Sequence, residues 1–305
     1  MQFGVLVGDI VSSDPTAEDW DEIDADLAQL GLPIYMAAGN HDIEDRELFE
    51  SRYGPTFYSF TFHNDLFVIL DPNLDAWNIS GLQLDFLKKV IHEKYRSVNN
   101  IFVFFHQILW REDDNQFHSV MWNSAAGRKR STNFWSEVMP IFENLPNEVV
   151  MFAGDLGARW ASNVMYHHCK NVTFIATGMG DGKGDNIIIA NVAEHKGVTY
   201  DLICIGDVER YCLGSLQDHT TGQCSERDKN ELTAYPSPTL EWLTVKLQKK
   251  DPGVIELFDL SGKLIHYEKW NGYEQGIDLS RLQSGPYFLR VSTPSASYRQ
   301  IISKI

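Results

Sequence analysis

The chain has 305 residues, 43% of them hydrophobic, with 42 acidic against 26 basic side chains and a net charge of −16. That length and apolar content suffice for two globular cores, since domains commonly hold about 100–200 residues. The acidic balance argues against a nucleic-acid-binding surface. No stretch approaches the roughly 18 consecutive apolar residues of a membrane-spanning helix, and no basic flank with a cleavage site opens the chain, so no signal peptide is read.

The first predicted strand, residues 3–7, stops at Gly8-Asp9. An acidic amphipathic helix over 18–30 ends at Gly31, and a second strand, 34–38, runs into Gly39-Asn40-His41-Asp42. Both strands are short and wholly apolar, as parallel strands buried on both faces are. A helix over 44–53, stopped by Gly54, follows. In open α/β sheets ligands collect outside the carboxyl ends of the strands, so both loops face one crevice. Carboxylate, amide and imidazole groups at such an edge suit a divalent ion that activates water. The bland alternative is that Asp9 and Asn40 only cap the helices that follow.

Residues 58–62 and 66–70 flank His63-Asn64-Asp65 as a hairpin whose second strand ends at Asp71, a crevice-lining residue or a turn cap. Ser80 then caps a helix, with Gln83 completing a capping box and Leu82, Leu84, Leu87, Val90 and Ile91 forming one apolar face. Strand 101–105 stops at His106, and strand 149–153 stops at Gly154-Asp155. Four polar residues, Asp9, Asn40, His106 and Asp155, therefore sit at strand ends, a pattern that unrelated caps rarely produce.

The stretch between these strands carries Gly127-Arg128-Lys129-Arg130, the only basic run, read as a solvated loop with a phosphate-attracting lid as the alternative. Trp110, Trp122, Trp135 and Trp160 lie in crevice-side segments and offer either simple packing or a stacking surface. Strands over 172–176 and 187–192 enclose a tight glycine-rich turn (Gly178, Gly180, Gly182, Gly184) near the site. His167 and His168 read as a surface pair. Of the four cysteines, Cys212 and Cys224 would close a loop in an oxidising compartment, and free buried thiols (Cys169 and Cys204 included) explain the count equally well. Residues 206–232 lack hydrophobic period and form a linker. Beyond it, short alternating segments punctuated by Ser261-Gly262 and Asn271-Gly272 imply a small all-β sandwich over 233–305.

The succession Gly8-Asp9, Gly39-Asn40-His41-Asp42, His106 and Gly154-Asp155 resembles the calcineurin-like metallophosphoesterases over residues 1–205. The resemblance implies an α/β fold, the layered αββα sandwich of that family, and a two-metal phosphoester hydrolase using metal-activated water. Carried over by position, Asp9 is the bridging carboxylate, Asn40, His106 and Asp155 are ligands of the second metal, and His41, beside Asp42, is the general acid. Fe, Mn and Zn all suit such ligands.

Two departures stand out. The family's opening Asp-x-His is missing, which leaves the fold incomplete at its N-terminal edge, and we expect the natural N-terminus to lie outside this sequence. The closing Gly-His-x-His is replaced by Gly154-Asp155-Leu156-Gly157. Ligand counting thus predicts one metal instead of two. Tyr235-Pro236-Ser237-Pro238-Thr239, the 255–263 segment and Gly285-Pro286-Tyr287 resemble type IX secretion sorting domains, which implies outer-membrane secretion machinery as a partner and a secreted or surface-attached protein. Two functions follow: a secreted metal-dependent phosphoesterase acting on a small phosphomono- or diester, or a degenerate, non-catalytic surface protein that keeps the fold.

Overall fold

The computed structural model describes residues 2–143, 145–157, 163–180, 185–193, 197–205, 214–221, 232–247, 250–294 and 297–305. The chain opens with β1 (Gly4–Leu6), α1 (Ala17–Ala28), β2 (Ile34–Met36) and α2 (Arg46–Tyr53), and β1 pairs with β2 in parallel. Thr16 and Asp19 form a capping box that fixes the start of α1. Trp20 of α1 and Phe49 of α2 are fully buried against Met36 and Ala38, so both helices cover one face of the β1–β2 pair.

A six-stranded sheet follows. It contains β3 (Tyr58–Phe62), β4 (Asp65–Ile69), β5 (Asn100–Phe105), β6 (Glu148–Ala153), β7 (Val164–Cys169) and β8 (Val172–Thr177), in the order β3-β4-β5-β6-β8-β7. Strands β4, β5, β6 and β8 run parallel, while β3 and β7 form antiparallel edges. The continuous apolar runs of β4 and β5 are buried along their whole length because both faces are covered. One face packs α3 (Gly81–Lys94) through Leu84, Leu87, Val90 and Ile91. The other face, through Phe67, Phe102, Phe104 and Ile175, packs Val5 and Val7 of the first strand segment together with Ile188, Tyr200 and Leu202 of the antiparallel pair β9 (Asn186–Ala193) and β10 (Gly197–Cys204).

Several elements differ from the sequence reading. Leu82 is 82% exposed and lies off the apolar face of α3. Ser80 makes no side-chain cap bond there, and Gln83 turns inward, accepting from Asp71 N at 2.6 Å and donating to Asp71 O at 3.0 Å. The sequence pattern does not predict strands β7 and β10, whose apolar residues are interrupted by His167-His168 and by Thr199 and Asp201. His167 is buried, its Nδ1 2.6 Å from Thr221 O and its ring stacked on Phe174, so the pair is a surface feature only at His168. Cys169 and Cys204 each take part in a disulfide, which rules out free thiols at those two positions. Cys212, Cys224, Trp160, Gly182, Gly184 and most of the 206–232 linker lie outside the described residues.

The C-terminal unit holds β11 (Leu232–Tyr235), β12 (Trp242–Leu247), β13 (Gly253–Phe258), β14 (Leu264–Trp270), β15 (Glu274–Asp278), β16 (Gly285–Ser292) and β17 (Ser297–Lys304). They make two sheets, β11-β12-β15 and β14-β13-β16-β17. Alternate residues such as Leu243, Val245, Ile255, Leu257, Leu289 and Val291 bury one separate core, as period-2 patterning demands.

Candidate metal centre

The centre is assembled from the ends of β1, β2, β5 and β6. Gly8 (φ 91°) and Asp9 (φ 52°) are consecutive left-handed residues, so the chain reverses sharply as it leaves β1. A Cβ on Gly8 would stand 2.6 Å from both Gly39 N and His106 Nδ1, and one on Gly154 would stand 2.6 Å from Val7 O. Side chains are excluded here because three loops close directly around the His106 ring.

His106 is only 2% exposed. Its Nδ1 lies 2.7 Å from Val7 O, and because a carbonyl can only accept, that nitrogen carries a proton. In the neutral ring the Nε2 lone pair then faces the cluster. Nε2 is 3.1 Å from Asp9 Oδ2, an ion-pair distance without hydrogen-bond alignment, and this buried nitrogen has no aligned partner. Asp155 (φ 53°) completes the group: the ligand atoms of Asp9, His106 and Asp155 all lie within 4.8 Å of one another.

The electrostatics show what the cluster favours. Burial alone would lower the His106 pKa, yet the Asp9 and Asp155 carboxylates raise it to about 9. Burial pushes Asp155 up to about 6, with the Asp9 charge acting in the same direction. Burial also works to raise Asp9, but His106 and the His41 N–H outweigh it and hold that carboxyl below its usual value. Two acids and a lone-pair imidazole nitrogen converge where only a proton or a cation reconciles them. The donor set therefore fits a divalent metal.

Asn40 is exposed and bracketed by residues that touch Asp9: Gly39 packs against its backbone and carboxylate, and His41 N donates to Asp9 Oδ1 at 3.0 Å. Its backbone is thus held beside the cluster. Asp42 behaves differently from its sequence reading. It is fully buried, with Oδ1 accepting from Ile10 N (2.7 Å) and Val11 N (3.2 Å) and Oδ2 from Gly39 N (2.8 Å). Burial raises its pKa against these three donors. Asp42 staples the two loops together, and the carboxylate on the His41 ring is that of Glu44, 2.9 Å from Nδ1. Glu44 escaped sequence reasoning, although its spacing three residues after His41 is the usual signal for one turn.

The remaining candidates are structural. Asp71 is buried, caps Asn73 N and pairs with Arg46 at 2.8 Å. Arg128 is no solvated residue: it pairs with Glu112 at 2.6 Å and lies over the Trp77 and Trp122 rings. Trp110 is fully buried. Trp135 donates to Trp110 O. Trp122 is stacked by Arg111 at 3.9 Å, and the next residue, Asn123, donates its N–H to Asp155 O.

Residues 3–158, just over half of the chain, match the family model of the calcineurin-like phosphoesterases. The chain belongs to the calcineurin-like phosphoesterase family. The chain also carries, over residues 233–304, a match to the secretion system C-terminal sorting domain, which makes it a secreted or cell-surface protein. No helix among the described residues is long and apolar enough to cross a membrane. Among solved structures, a DUF3244-family protein with an immunoglobulin-like β-sandwich fold from Bacteroides vulgatus is 17% identical, covering 26% of this chain and 88% of its own, with a TM-score of 0.23. A comparison with curated proteins returned no match.

Proposed function

We propose that this protein is a secreted, metal-dependent phosphoesterase that hydrolyses small phosphomono- or diesters. The observation that carries this reading is the buried Nε2 of His106, without an aligned hydrogen-bond partner, between the Asp9 and Asp155 carboxylates at the carboxyl ends of the strands. On this reading residues 1–205 form the catalytic domain in the family's αββα layering, 206–232 a linker, and 233–305 the unit read by outer-membrane secretion machinery. Packing of α3 on one face and of two strand pairs on the other supports that layering.

Asp9, Asn40, His106 and Asp155 would hold one divalent ion, of Fe, Mn or Zn type. Such an ion supplies Lewis-acid polarisation of the phosphoryl oxygen and a lowered pKa for water. The chain's own residues do the rest. Val7 O fixes the His106 tautomer, Asp42 locks the loops so that Asp9 keeps its place, and His41, protonated at both ring nitrogens, would give its Nε2 proton to the leaving ester oxygen as a water oxygen bonds to phosphorus and the P–O bond breaks.

Gly157, with φ 97° and no side chain, favours a second reading, a metal-bearing scaffold without turnover. Elemental analysis with hydrolysis of p-nitrophenyl phosphate and its bis-ester separates the two. Metal-dependent turnover lost in Asn40→Ala and His41→Ala supports the enzyme. Stoichiometric metal with no turnover on either ester supports the scaffold.

A further inference from the structure

We infer that Glu44 is a positioning residue for His41, gripping the imidazole at Nδ1 so that Nε2 is the nitrogen left to exchange a proton with the substrate. This rests on the phosphoesterase reading of the site.

The geometry is specific. Residues 41–45 form a turn in which Glu44 N donates to His41 O at 3.3 Å, bringing the two side chains to one side. Glu44 Oε1 then lies 2.9 Å from His41 Nδ1. Its other oxygen accepts from Asp14 N at 2.7 Å, which ties the loop after β2 to the loop after β1. Ser13, on that same loop, places Oγ 3.0 Å from the same Nδ1.

The proton on Nδ1 follows from chemistry. The Asp14 N–H, and then His41 itself, hold the Glu44 carboxyl below its usual range, so it is an anion that only accepts. An unprotonated Nδ1 would face it lone pair to lone pair. Glu44 therefore selects the Nδ1–H form of the ring, and the backbone of the same histidine is anchored on Asp9 at 3.0 Å. Ring and cluster are thereby held in one frame, as a group that must meet a leaving oxygen requires. Asp42 cannot share the task, since both its oxygens accept backbone N–H groups.

The test has two arms. At a pH chosen so that the nitrogen-15 shifts themselves report a neutral ring, nitrogen-15 NMR of His41 should show the Nδ1–H tautomer in the wild type and the Nε2–H tautomer in Glu44→Gln, whose carboxamide can donate to Nδ1. Glu44→Ala serves as the second variant, with thermal melting as the folding control. An unchanged tautomer in both folded variants overturns the inference, and this arm needs no turnover. In the second arm, Glu44→Ala should reduce hydrolysis of an alkyl phosphate at least about tenfold more than that of p-nitrophenyl phosphate, whose leaving group needs no proton. Equal loss on both esters overturns the inference. A wild type inert to both overturns the phosphoesterase reading, while the tautomer still judges Glu44.

Discussion

His106 and Asp9 meet at 3.1 Å between Nε2 and Oδ2, while the opposite ring nitrogen is held by Val7 O at 2.7 Å. The imidazole cannot rotate away from the carboxylate. Whatever occupies the space between them, a proton or a metal, decides the charge of the whole centre.

Metal and proton therefore compete. With His106 titrating at about 9 and Asp155 at about 6, metal binding near neutral pH should release roughly one proton, from His106, and affinity should fall steeply once Asp155 protonates below about pH 6. Isothermal titration with Mn²⁺ or Zn²⁺ in buffers of different ionisation enthalpy measures the released protons. Binding that releases none would contradict the pairing of His106 with the metal.

The metal-free protein should lose stability as pH rises. The His106 pKa is raised from 6.5 to about 9, so its favourable contribution is complete below pH 6.5 and gone above about 9. For Asp155, raised from 3.8 to about 6, the contribution is complete below 3.8 and gone above about 6. Asp9, with a lowered pKa, works in the opposite sense, its contribution disappearing on acidification below its usual range. Melting temperatures in excess chelator should fall between pH 6.5 and about 9, and His106→Gln should flatten that part of the profile. The same slope in both proteins would show that another group is responsible.

Gly8→Ala should damage fold and site together. The new methyl group meets Gly39 N and His106 Nδ1 at 2.6 Å, and the backbone sits at φ 91°. Overpacking of that kind costs about 1–3 kcal/mol, with a further 1–2 kcal/mol or so for the left-handed backbone. Urea unfolding gives the stability loss, and metal content after dialysis should drop in parallel.

Two neighbouring basic residues should respond differently. Arg128 pairs with Glu112 with little exposure on either side chain, whereas Lys129, paired with Asp75, is half exposed. Arg128→Ala leaves a poorly solvated carboxylate unpaired and should cost about 3 kcal/mol, against less than about 1 kcal/mol for Lys129→Ala. If Arg128→Ala instead left the unfolding midpoint unchanged and raised only the KM for a phosphoester, the run would be a phosphate lid.

Gly8-Asp9, Gly39-Asn40, His106 and Gly154-Asp155 stand at strand ends because each apolar run stops there and polar side chains begin, and such a stop is visible in one dimension. The same logic located α1, α2, α3 and the hairpin β3–β4. Strands β7 and β10 escaped because half-covered strands interrupted by His, Thr and Asp carry a weaker signal. The spacing of Gln83 after Ser80 predicts a cap, yet its side chain spans to the Asp71 backbone through packing of α3 beside the end of β4.

The sequence by itself determined the apolar periods, the strand-end glycines and the acid, amide and imidazole groups that follow them. Only the tertiary structure decided the partners: Glu44 in place of Asp42 on the His41 ring, Asp42 on three backbone N–H groups, and a largely covered Arg128 paired with Glu112 in a loop that looked solvated. Periodicity records whether a residue is buried, a property of local pattern. Which polar group meets which depends on distances of a few ångströms between segments far apart in the chain, and those are fixed only when the layers close.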